Sequence, residues 1–102
     1  MSNANNSNPV FATSFLLLVQ YGGRAVIPIE IVRKDYSPHL VTEVLVREIS
    51  CGEISLPLVR MEDSKKTARG VHLSDLALYI DARVAAARRE RDQLTGKPFP
   101  DG

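Results

Sequence analysis

Tryptophan is absent from this chain, and cysteine occurs once, as Cys51. A lone cysteine cannot close an internal disulfide or build a cysteine-rich zinc site, so a reducing cytoplasm is the expected compartment. Long apolar runs are missing as well. The longest, residues 15–19, falls far short of the roughly 20 residues of a membrane-spanning helix, and no basic stretch precedes it as a secretory signal would require. Neither sign of charge is in excess: 13 Lys and Arg face 12 Asp and Glu, for a net charge of +1. Near-neutrality does not advertise nucleic acid, but such binding depends on where charge sits rather than on its sum. Six glycines, six prolines and 25% charged residues exclude collagen, a coiled-coil rod and bulk disorder. A length of 102 residues suits one soluble domain and excludes a two-domain enzyme.

What is present is a sequence of short elements. Residues 1–14 begin Met-Ser-Asn-Ala-Asn-Asn-Ser-Asn, carry no charge, and read as a disordered tail. Thr13 or Ser14 can cap a helix over residues 15–21 that ends at Gly22-Gly23. A strand competes for that segment, since Phe-Leu-Leu-Leu-Val has no helical polarity of its own. Residues 25–27 form an extended step held by Pro28. Residues 29–36 predict a helix with Ile29 and Val32 on one face, broken at Ser37-Pro38. Residues 40–51 predict a second, with Val41, Val44, Leu45 and Ile49 inward and Gly52 as its stop. Two short helices and a tight turn fit a helix-turn-helix.

An alternating stretch over residues 54–61, with Pro57 confining it to an edge, and an apolar one over residues 70–73 predict a β-hairpin. Its long tip, residues 62–69, ends on Lys65, Lys66 and Arg69. Ser74-Asp75 can cap a last helix reaching about Leu94, striped by Leu73, Leu76, Ile80 and Val84. Beyond Ala85 that helix has high propensity and little to bury, so it projects into solvent or pairs with another chain. The expected domain therefore spans residues 15–95, with residues 96–102 as a flexible tail. The class is α+β, mostly α: a winged helix-turn-helix with a β-hairpin wing and a long C-terminal helix.

The residues also carry a family likeness. Phe15-Leu16-Leu17-Leu18 with Gln20-Tyr21, Val26-Ile27-Pro28-Ile29-Glu30 and Arg33-Lys34-Asp35-Tyr36 resemble the pyocin activator protein family. So do Gly52-Glu53-Ile54 with Leu56-Pro57, and Arg60-Met61 with Ser64-Lys65-Lys66 and Ala68-Arg69-Gly70-Val71-His72-Leu73. Asp75-Leu76-Ala77 and Tyr79-Ile80-Asp81-Ala82-Arg83 complete a likeness that runs from about Phe15 to Glu90. Ser37-Pro38 stands where the resemblance implies an aromatic, and the Asn-rich leader is longer than it implies. What the resemblance implies is a transcriptional activator that binds DNA upstream of bacteriocin and prophage-like genes induced after DNA damage. The plan is also similar to that of phage excisionases.

Each candidate contact has a plainer alternative. Lys65, Lys66 and Arg69 suit phosphates, or form a solvated hairpin tip. On the outward face of the second helix, Arg47 can reach guanine O6 and N7 and Val46 a thymine methyl, beside Thr42 and Glu43. Alternatively, Arg47 pairs with Glu43 at i+4. Arg33 and Lys34 lie on the helix that would cross the DNA backbone, or are surface charges balanced by Glu30 and Asp35. His39 and His72 lack metal-site spacing, Cys51 suits a small hydrophobe at a helix end, and no spacing supports a catalytic triad. No catalytic residue, metal or cofactor is expected. The expected partners are double-stranded DNA at promoter-proximal sites, RNA polymerase, and a second copy of the chain, held through the charged extension of the last helix; no membrane is involved. Two further functions stay open: an excisionase-like architectural protein, and an RNA polymerase-binding antiterminator module.

Overall fold

A computed structural model of the chain describes residues 9–60 and 68–95. The elements follow in the order α1 (Pro9–Gln20), β1 (Val26–Pro28), α2 (Ile29–Tyr36), α3 (Thr42–Ser50), β2 (Val59–Arg60), β3 (Arg69–His72) and α4 (Leu73–Thr95). The fold is α+β and mostly helical, around one antiparallel three-stranded sheet ordered β1-β3-β2. Val26 faces His72 and Pro28 faces Gly70 across one ladder; Arg60 faces Arg69 across the other.

The first segment is a helix, so the strand alternative falls. It also begins six residues earlier than the patterning predicts, at Pro9. Residues 9–14, expected in the tail, are therefore helical. A proline at the start of a helix gives up an N–H that has no intrahelical partner anyway. Thr13, expected as a cap, instead donates from Oγ1 to Asp81 Oδ1 of α4 at 2.7 Å. The helix closes as foreseen: Gly23 N–H donates to Leu18 O and Gly22 N–H to Val19 O, the paired bonds of a Schellman end.

α2 has the bounds its pattern predicts, whereas α3 is shorter at both ends. Leu40 and Val41 stay outside α3 because Leu40 N–H turns back to Ser37 O. Val41, expected in the core, is consequently exposed. Of the strand expected over residues 54–61, the described residues pair only at Val59–Arg60. Leu56 is buried in the core from a stretch outside the ladder, its N–H turned back to Ile54 O, and Pro57 has no N–H for a ladder.

α4 starts at Leu73, and its cap is His72: Nδ1 accepts from the backbone N–H of Ser74 at 3.0 Å. Ser74 and Asp75, expected as caps, lie inside the first turn. Leu73 N–H donates to Ala25 O, which fastens the start of α4 to the entry of β1. The core lies between the sheet, α2, α3 and the first turns of α4. Ile27, Ile29, Val32, Leu45, Val71 and Leu76 are almost fully buried there, each contributing about 1.5–3 kcal/mol. Gly70, buried in the central strand, has a positional reason: a Cβ there would lie 2.6 Å from Ile27 O and 2.7 Å from Val26 Cγ1. Among the described residues no helix is long and apolar enough to cross a membrane.

Candidate nucleic-acid interface

The site is built from α2, residues 37–41, α3 and the β2–β3 pair. Ile29 and Val32 of α2 share one buried cluster with Leu45 and Ile49 of α3, which fixes the two helices against each other. The connection between them is braced rather than loose. Arg33 Nη1 donates to Leu40 O at 3.0 Å, and Ser37 N–H continues the α2 ladder to Arg33 O. A guanidinium committed to a carbonyl in this way holds the turn at Ser37-Pro38. Arg33, a candidate DNA contact from sequence, is thus half-buried and has a structural bond; Lys34 beside it is exposed.

Tyr21 ties the end of α1 to the same helix. Its hydroxyl donates to Asp35 Oδ2 at 2.6 Å. Burial, the bond to Asp35 and the neighbouring Tyr36 push the Tyr21 phenol far above its ordinary value, so it stays a donor throughout the physiological range. Asp35 is thus tied to the chain just past α1, and among the described residues it forms no ion pair with Arg33 or Lys34.

On α3, Glu43 and Arg47 are exposed and Thr42 is half-exposed. Glu43 and Arg47 form no ion pair with each other, so the i+4 pairing does not occur, and the guanidinium of Arg47 is without a partner among the described residues. Val46 has a structural role on the same helix. It is half-buried and packs on the core, which accounts for an apolar residue beside the polar face.

The hairpin adds a residue that patterning missed. Arg60 stands directly opposite Arg69 across β2 and β3. Directly opposed residues of an antiparallel pair lie on one face with Cβ atoms about 4.5–5.5 Å apart, and like charges there destabilise the pair. Neither guanidinium has a hydrogen bond or ion pair among the described residues. Two guanidiniums so placed form a ready binding place for an anion such as a phosphate. The missed signal was register: Arg60 lies nine residues before Arg69, across a hairpin whose pairing the sequence does not state. Lys65 and Lys66, the other basic residues of the tip, lie outside the described residues.

α2 packs against both α3 and β3, so the α3 face and the arginine pair flank one central helix. Among the described residues, no group of three or more His, Cys, Asp or Glu could hold a metal ion. A family model described as "Pyocin activator protein PrtN" matches residues 13–87. No curated protein and no solved structure matches the chain. The matched span runs from within α1 to within α4 and covers well over half the chain, which therefore belongs to the pyocin activator protein family.

Proposed function

We propose that this pyocin activator family member is a winged-helix protein that binds double-stranded DNA at promoter-proximal sites and activates pyocin or prophage-like genes. The observation that carries the reading is topological. The chain between β1 and β2 is the helix pair α2–α3, and β2–β3 follow as an antiparallel pair joined to β1 in one sheet. Such an order would suit a second helix in the major groove with a hairpin on the flanking backbone, which supports the reading. α3 would supply Arg47, Glu43 and Thr42 to base edges, where arginine reads guanine O6 and N7 and a carboxylate accepts from cytosine N4. Lys34, Arg60, Lys65, Lys66 and Arg69 would neutralise phosphates. Arg33 would act at one remove, by fixing the angle between α2 and α3. No catalytic step, metal or cofactor belongs to this reading. The protein works in the cytoplasm at the nucleoid, and activation follows from contact with RNA polymerase beside the bound promoter.

The test is capture of genomic fragments by the purified chain, followed by affinity measurement on the enriched sequence. Enrichment of promoter fragments upstream of bacteriocin or prophage-like genes is the expected result. Enrichment of recombination sites would point instead to an excisionase-like architectural role. Absence of any enriched DNA, with retention of RNA polymerase, would overturn the proposal in favour of an antiterminator-type module.

A further inference from the structure

α1 divides into two faces. Toward α4 it presents Thr13, bonded to Asp81, and the buried Leu17 four residues on. Its other face is entirely apolar. Phe11, Phe15 and Leu18 form a ridge at i, i+4 and i+7, flanked by Leu16 and Val19, with exposures of 52%, 58%, 43%, 66% and 67%. The chain has no charged residue before Arg24, so nothing ionic interrupts this surface. Scattered exposed apolar residues are ordinary, but five on one helical face are not.

We infer that the outer face of α1 is the surface on which a second copy of this chain docks, α1 against α1. The absence of charge and of hydrogen-bonding side chains decides the chemistry of the occupant. A phosphate backbone or a charged peptide finds nothing to pair with there, whereas an identical apolar face does, and a two-fold axis brings the same patch of each copy together. Nothing else in these 102 residues suits the face: residues 1–8, 61–67 and 96–102 hold only Met1, Met61 and Phe99 as large apolar side chains. The area agrees. Five such side chains at those exposures present roughly 500 Å² per copy, so a symmetric contact that covered them fully would remove roughly 1,000 Å² from water, the size a specific interface has to reach. The competing surface, the extension of α4, carries Arg83, Arg88, Arg89, Glu90, Arg91 and Asp92 and is suited to water. The dimer is thereby placed at the opposite end of the chain from the extension to which its sequence pattern assigns it. The inference stands apart from DNA binding, since its test involves no DNA.

Sedimentation equilibrium of the full chain at tens of micromolar tests it, together with the double variant Leu16→Glu, Val19→Glu and the control Leu94→Glu at the exposed end of α4. The expected result is a reversible dimer for the wild type and for the control. In the double variant, the dissociation constant of the dimer should rise by at least about 100-fold, because charges would be desolvated at the contact, with far-UV circular dichroism unchanged. A second measurement does not depend on that variant folding. In a Cys51→Ser background, Phe15→Cys should form an intermolecular disulfide under mild oxidation, and Arg89→Cys should not. A wild type that remains monomeric at hundreds of micromolar, a dimer indifferent to the α1 substitutions, or cross-linking at residue 89 rather than 15 would each overturn the inference.

Discussion

Thr13 and Asp81, 68 residues apart in the chain, are joined by a hydrogen bond of 2.7 Å from the threonine hydroxyl to Oδ1 of the carboxylate. The other carboxylate oxygen, Oδ2, is buried with no partner among the described residues. The bond therefore satisfies half of a side chain that packing has already withdrawn from water. It fixes how far α1 slides along α4, and with it where the apolar face of α1 points.

Removing the donor should be costly for its size. Thr13→Val keeps the shape but leaves both carboxylate oxygens without a partner, and stability should fall by about 1–3 kcal/mol. Thr13→Ser should recover most of the loss. Urea unfolding followed by circular dichroism measures both; equal stability of all three proteins would mean that the bond does not form in solution.

Gly70→Ala should damage the sheet more than its single methyl suggests. The new Cβ meets the backbone oxygen of Ile27, which cannot rotate away. Overpacking of this kind costs about 1–3 kcal/mol, so the thermal midpoint should drop by several degrees. A midpoint within about one degree of wild type would show that β1 and β3 are not in the stated register, since about 1 kcal/mol moves a domain of this size by about 4–8 °C.

Arg33 and Arg47 should behave as opposites. Arg33→Ala removes the brace to Leu40 O and should lower stability by about 1 kcal/mol. Arg47→Ala breaks no bond in the free protein and should leave stability within about 0.5 kcal/mol. On the preferred DNA site, Arg47→Ala should cost about 1–3 kcal/mol and relax the preference at one base pair. Equal weakening on preferred and random DNA would reduce Arg47 to a backbone contact.

The arginine pair has a different signature. If Arg60 and Arg69 each neutralise a phosphate, replacing both by glutamine should flatten the slope of log affinity against log salt by about 0.9 per contact. Relief of the mutual repulsion should leave the hairpin no less stable. An unchanged slope would remove the pair from the DNA contact.

How much of this was legible in the sequence follows from the range over which each signal acts. α2 emerged with its true ends because Ile29 and Val32 mark a face, and Pro28 and Ser37-Pro38 bracket it. α1 started too late because its N-terminal turns are set by a partner far along the chain: Thr13 reads as a cap until Asp81 is beside it. Val46 reads as an outward residue when the apolar face is drawn through Val41, Val44 and Leu45, yet it stands three residues before Ile49, on the flank of that face, and packs on the core there. Arg60 was invisible for the same reason as the short β2. Cross-strand register is a pairing between distant segments, and nothing local in Leu58, Val59 or Arg60 announces a partner.

The sheet carries one further consequence. β3 is the central strand, with β1 against residues 70–72 and β2 against residues 69–70. β1, on one margin, is three residues long and ends in Pro28; β2, on the other, is two residues long and ends in Arg60. Short margins bearing proline or charge are poor templates for a strand from another molecule. Growth of this protein into fibrils by strand addition is thus discouraged at both borders, although the chain carries an exposed row of phenylalanine, leucine and valine. That row lies on a helix, and the α1-to-α1 contact proposed for it would close at two copies instead of propagating.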